Sequence, residues 1–122
     1  MNDLPKTLIL GASTNPSRYA YLAAELLSRK SIPFVPVGRG EGEVFTQPIQ
    51  PKIPATETID TVTVYLSEKN QAEWKKAIED LKPRRVIFNP GAENPTWATQ
   101  LQEKGIEPIE ACTLVMLTTN QY

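Results

Sequence analysis

The run Gly11-Ala12-Ser13-Thr14-Asn15-Pro16-Ser17-Arg18 gathers groups that can hold a phosphate without a metal ion. Gly11 lets the chain turn and lets a ligand approach the backbone. Ser13, Thr14, Asn15 and Ser17 offer short hydrogen-bonding side chains. The helix expected to follow adds free N–H groups and the partial positive charge of its N-terminus. Arg18 brings a fork-shaped donor. A well-capped helix carrying a surface arginine would read the same way, so this run alone leaves phosphate binding and plain capping equally open. The candidate contacts are Gly11, Ala12, Ser13, Thr14, Asn15 and Arg18.

The run is not G-x-G-x-x-G, because Ser13 and Pro16 stand at the second and third glycine positions. A dinucleotide dehydrogenase also wants an acid at the end of its second strand to hold a ribose diol. Here that place reads Val37-Gly38-Arg39-Gly40. A glycine-flanked arginine suits a phosphate better than a diol, which points to NADP or the 3′-phosphate of coenzyme A rather than NAD; a solvated turn arginine is the plain alternative. Farther on, Gly91 lies beside Asn89, Glu93 and Asn94, and Asn94 reads as a helix cap. The single cysteine, Cys112, reads as a small core residue. Its other reading is a thiol at a helix N-terminus, within reach of a pantetheine arm. The chain contains no histidine, which removes Ser-His-Asp and Cys-His catalysis and histidine metal sites.

These residues need a frame to bring them together. Thr7-Leu8-Ile9-Leu10 is a continuous apolar run of the kind buried on both faces of a parallel sheet. Tyr19, Leu22, Ala23, Leu26 and Leu27 then recur at helical spacing, with Asn15-Pro16 expected to cap that helix and Tyr21 placed nearer the cleft. Ile32–Val37 is a second strand, and its two prolines predict few hydrogen bonds near its tip. Residues 38–58 show no helical period, with Val44–Ile49 a possible short edge strand. Thr61–Leu66 is a third main strand. Trp74, Ala77, Ile78 and Leu81 mark a helix, closed by Lys82-Pro83. Arg85–Phe88 is a strand, Asn94-Pro95 opens a helix with Trp97, Ala98 and Leu101 on one face, and Gly105 ends it. Ile106–Ile109 and a strand-to-helix segment at Cys112–Leu117 complete the chain.

Alternating strands and helices imply right-handed crossovers and a mainly parallel sheet with helices on both faces. Five strands fit one Rossmann-like α/β domain over residues 1–122. Ligands of such sheets sit at the carboxyl ends of the strands. The loops expected to form a site are therefore 11–18, 38–42, 66–69, 89–94 and 110–113.

Composition narrows the function classes. The 122 residues are 40% hydrophobic and 22% charged, which is globular. Thirteen basic against fourteen acidic residues give a net charge of −1, which argues against sequence-independent nucleic-acid binding. The longest aliphatic run, Leu114–Leu117, is far too short to span a bilayer. Met1–Lys6 is too short and polar for a signal peptide, so the expected location is the cytoplasm. One cysteine excludes an intramolecular disulfide.

Four segments together resemble the CoA-binding protein family, which is related to the nucleotide-binding domain of the succinyl-CoA synthetase alpha subunit. They are residues 8–18, Pro36-Val37-Gly38-Arg39-Gly40, Asn89-Pro90-Gly91-Ala92-Glu93-Asn94 and residues 110–117. The resemblance implies a Rossmann-like CoA-binding fold. It puts Gly11, Ser13, Asn15 and Arg18 at the diphosphate or adenosine end, Val37 and Arg39 beside the nucleotide and its phosphate, and Gly91 in the cleft. Gly38 stands where many relatives carry asparagine, and Leu66-Ser67 replaces a more usual basic or proline-containing turn. The synthetase's catalytic histidine lies outside this domain, so the resemblance implies binding and not ligase chemistry. The expected function is a stand-alone module for coenzyme A, an acyl-CoA or a related adenine nucleotide. The alternatives are an NADP-binding redox enzyme or subunit, and a regulatory domain with a vestigial site.

Overall fold

The computed structural model describes residues 5–122; Met1–Leu4, and with them most of the terminal segment considered above, lie outside the described residues. In chain order the elements are β1 (Thr7–Leu10), α1 (Tyr19–Arg29), β2 (Phe34–Val37), the short strands β3 (Glu43–Val44) and β4 (Gln47–Pro48), and β5 (Thr61–Val64). Two single 3-10 turns, Glu68–Asn70 and Ala72–Trp74, lead into α2 (Lys75–Leu81). The chain continues with β6 (Arg85–Phe88), α3 (Pro95–Glu103), β7 (Glu107–Glu110) and α4 (Thr113–Thr118).

The main sheet runs β2-β1-β5-β6-β7 with every pairing parallel. Its four inner and leading strands are buried at every position, which is why their sequences are continuous rather than alternating runs. One face carries Leu8, Leu10, Val62, Val64, Val86 and Phe88 against Trp74, Ile78, Trp97 and Leu101 of the α2–α3 side. Phe88 meets Trp97 edge-on with ring centroids 5.6 Å apart. The other face carries Ile9 and Phe34 against Ala20, Ala24 and Leu27 of α1 and Leu117 of α4. The α/β fold with helices on both faces is the one expected.

Several local expectations change. Asn15-Pro16 does not cap α1; the helix starts at Tyr19 with Arg18 at the N-cap and no side-chain cap bond. Asn15 Oδ1 instead accepts from the backbone N–H and the hydroxyl of Ser17, which closes a turn three residues early. The third main strand ends at Val64, not Leu66, and the Trp74–Leu81 helix divides into a 3-10 turn and α2, with Ala77 exposed.

Pro36, the one proline inside β2, does not thin its ladder. Thr7 N–H donates to the Pro33 carbonyl and Gly11 N–H to the Val37 carbonyl, so the odd-numbered residues face β1 and Pro36 faces the outer edge. The missing donor costs nothing there, and the Pro36 carbonyl accepts from Gln50 N–H. Val44–Ile49 is not one edge strand but the β3–β4 hairpin, held to the edge of β2 through Gln50.

Candidate functional site

The chain runs from β1 outward to β2, then returns past β1 to β5, so the strand order reverses between β1 and β5. That reversal opens a crevice at the carboxyl ends of the two strands. An open cleft of about 860 Å³ occupies it. Gly11, Ala12, Ser13, Ser17, Arg18 and Tyr19 form one wall, Gly38–Gly40 one end, and Tyr65–Ser67, Asn70, Trp74 and Pro90–Ala92 the opposite side.

Local geometry explains why this wall is made of small residues. Gly11 has φ +94°, and a Cβ there would stand 3.1 Å from Leu66 Cδ2 and 3.2 Å from the Tyr65 carbonyl carbon. A Cβ on Gly38 would lie 3.1 Å from the Ala12 carbonyl oxygen, so the β2 tip and the first loop touch backbone to backbone. The Val37 carbonyl accepts from both Gly11 and Ala12 N–H, at 2.9 and 3.0 Å.

The expected site residues divide. Gly11, Ala12, Ser13, Arg18, Gly38, Arg39, Leu66, Ser67 and Gly91 all line the cleft. Thr14, Asn15 and Val37 do not. Thr14 packs its methyl toward Gly42, Asn15 builds the turn with Ser17, and Val37 is fully buried and acts on the loop only through its carbonyl. The 110–113 loop is also absent from the lining. Cys112 is half-buried at the N-cap of α4 and does not itself line the cleft.

Tyr19 and Tyr21 exchange the places assigned to them. Tyr19 is 69% exposed and lines the cleft, whereas Tyr21 packs on Phe45 of the hairpin with centroids 5.0 Å apart. Residues two apart on a helix cannot share a face, so one of the two had to leave the apolar stripe.

Behind the far wall sits a buried polar network that no motif announces. Gln71, fully buried, donates through Nε2 to the carbonyls of Leu66 and Ala92, both at 2.8 Å. Its Oε1 accepts from Asn94 Nδ2 at 2.8 Å, and Asn94 Oδ1 caps α3 by accepting from Trp97 N–H. Gln71 thus ties two cleft loops to the start of α3. Asn89 does similar work: it donates to Thr63 Oγ1 and the Val64 carbonyl and accepts from Thr113 N–H.

The cleft's charged groups are few. Arg18 is exposed at the rim. Arg39 pairs with Glu73, and the hydrogen bond and charge of that carboxylate raise the arginine's pKa further. Gly91 N–H donates to Glu93 Oε1 at 3.0 Å. Tyr65, whose hydroxyl is buried without a hydrogen-bond partner among the described residues, has its pKa pushed up to about 12 by burial. The Thr63 and Thr113 hydroxyls nearby favour the phenolate slightly, but they bond each other at 2.7 Å and leave Tyr65 unpartnered.

A backbone-walled cleft at a strand-order reversal, rimmed by two arginines, is suited to a nucleotide with more than one phosphate. Comparison with known proteins agrees. The family described as CoA binding domain matches residues 5–118. The chain belongs to this CoA-binding domain family.

A solved crystal structure of an uncharacterized protein is 50% identical, with a TM-score of 0.94 over 99% of this chain and 100% of that one. More distant solved structures include a protein from Thermus thermophilus, at 21% identity and TM-score 0.86 over 98% of this chain and 91% of that one. A hypothetical protein from Pyrococcus horikoshii OT3 is 19% identical, with a TM-score of 0.87 over 96% of this chain and 84% of that one. These two share the fold. No curated protein matches the chain. Among the described residues, no helix is long and apolar enough to cross a membrane.

Proposed function

We propose that this CoA-binding domain works as a stand-alone module that holds coenzyme A or an acyl-CoA in the β1–β5 cleft. The observation that carries the reading is Arg39. It stands at the tip of β2, flanked by glycines and on the cleft rim, where a diol-binding fold would place an acid. A guanidinium there meets a phosphate on the ribose. Ser13 then takes the diphosphate through its backbone N–H and its hydroxyl and Arg18 through its charge, while Gly11 and Ala12, whose N–H groups bond the Val37 carbonyl, supply a bare backbone wall beside it. Gly38 lets the two loops close together. Leu66, Ser67 and Gly91 form the wall along which the rest of the ligand lies.

NADP binding is the second reading, because the same arginine would accept a 2′-phosphate. The missing second and third glycines of the dinucleotide fingerprint weigh against it. The protein's own residues supply binding and orientation in either case, and no group in the cleft is assigned a catalytic step.

Arg39→Ala tests the reading. It is expected to weaken CoA by about five- to tenfold, the scale of one charge-assisted contact at an exposed site, and to leave dephospho-CoA nearly unchanged. Equal losses for the two ligands would place Arg39 elsewhere in the complex.

A further inference from the structure

Arg39 already has a carboxylate partner within the chain. Its Nη2 donates to Glu73 Oε1, a contact between residues 34 positions apart in sequence. Arg39 follows β2, whereas Glu73 lies in the 3-10 turn between β5 and α2, and β1 runs between those two strands in the sheet. Adjacent strands are about 4.8 Å apart, so the pair reaches across about 10 Å at the end of β1. That end is where Gly11 turns and where the cleft begins.

We propose that Glu73 is an internal competitor for the ligand's phosphate: its carboxylate holds Arg39 until a phosphate on the ribose displaces it. This rests on the reading of the cleft as a CoA site. The chemistry favours displacement in one direction. The pair is open to water, with the arginine side chain 76% and the glutamate 52% exposed, and exposed pairs of this kind are weak. A ribose phosphate brings close to two negative charges and three acceptor oxygens, against one charge and two oxygens for Glu73. An unphosphorylated ribose brings neither and leaves the pair intact. Glu73 therefore lowers affinity for the phosphorylated ligand alone, and keeps a cleft with few other cations from holding that ligand too tightly.

The experiment measures dissociation constants of CoA and dephospho-CoA for the wild-type chain, Glu73→Gln, Arg39→Ala and the double variant. Glu73→Gln is expected to bind CoA about two- to fivefold more tightly, the range set by breaking one exposed ion pair, with dephospho-CoA unchanged. In the Arg39→Ala background the same substitution is expected to have no effect. Unchanged CoA affinity in Glu73→Gln, or a gain that persists without Arg39, would overturn the competitor role while leaving CoA binding standing. A wild-type chain that binds neither ligand would overturn both.

Discussion

Gly11 meets two demands that no other residue type meets together. Its φ of +94° lies where side chains are strained, and the space a Cβ would need is already filled by Leu66 and the Tyr65 backbone. Gly11→Val is expected to destabilise the fold by about 1–3 kcal/mol and to abolish CoA binding, because the branched side chain displaces the wall facing the ligand. Thermal unfolding and a CoA titration of the same sample check both parts. A variant that unfolds normally and binds CoA as before would remove the first loop from the site. At this scale the sequence was informative where a residue type has few uses: Gly11 and Arg39 could be picked out by type and position. Glu73 and Gln71 could not. Each sits in the polar run Glu68-Lys69-Asn70-Gln71-Ala72-Glu73, and only the pair of 3-10 turns sends one inward to bind two carbonyls and the other outward to Arg39.

Among the elements, the start of α3 couples the fold to the cleft most directly. Asn94 caps the helix through Oδ1 and, through Nδ2, satisfies the buried Oε1 of Gln71. Asn94→Ala is expected to cost about 1 kcal/mol for the lost cap and about 1–3 kcal/mol more for the unpaired acceptor left behind. Denaturant unfolding reads that sum, and a change under about 0.5 kcal/mol would show that the network carries little weight. The Asn94-Pro95 signal was legible because the cap is a local interaction. Asn15-Pro16 has the same letters and builds a separate turn, since Ser17 supplies a nearer partner for the Asn15 side chain. The prolines teach a related point. Pro36 in β2 and Pro108 in β7 sit in the phase that faces away from the neighbouring strand. Pairing to β6 uses Glu107 and Ala111 N–H, so the even-numbered residues of β7 look outward. Both prolines thus blunt an edge of the sheet without breaking a ladder bond. Composition alone shows the prolines but not their phase.

Over the whole molecule, the alternation of apolar strand and amphipathic helix was enough to give the parallel α/β fold, because each crossover has one favoured hand. Parallel pairing puts the carboxyl ends of β1, β2, β5 and β6 at one edge, which is why loops widely separated in sequence converge on one cleft. The long 38–60 connection was less legible. Its hairpin is held by Val44 and Ile49 packing beside α1 and by Gln50 bonding to the edge of β2, contacts that depend on tertiary neighbours rather than local pattern. The proposed function requires the assembled cleft to take coenzyme A and to select it by its ribose phosphate. Calorimetric titration of the intact chain with CoA, and separately with NAD, measures that selection. The expected result is saturable binding of CoA at one site per chain, with NAD binding at least about tenfold more weakly for want of a charge-assisted partner to Arg39. NAD binding as tightly as CoA, or CoA giving no saturable heat, would contradict it.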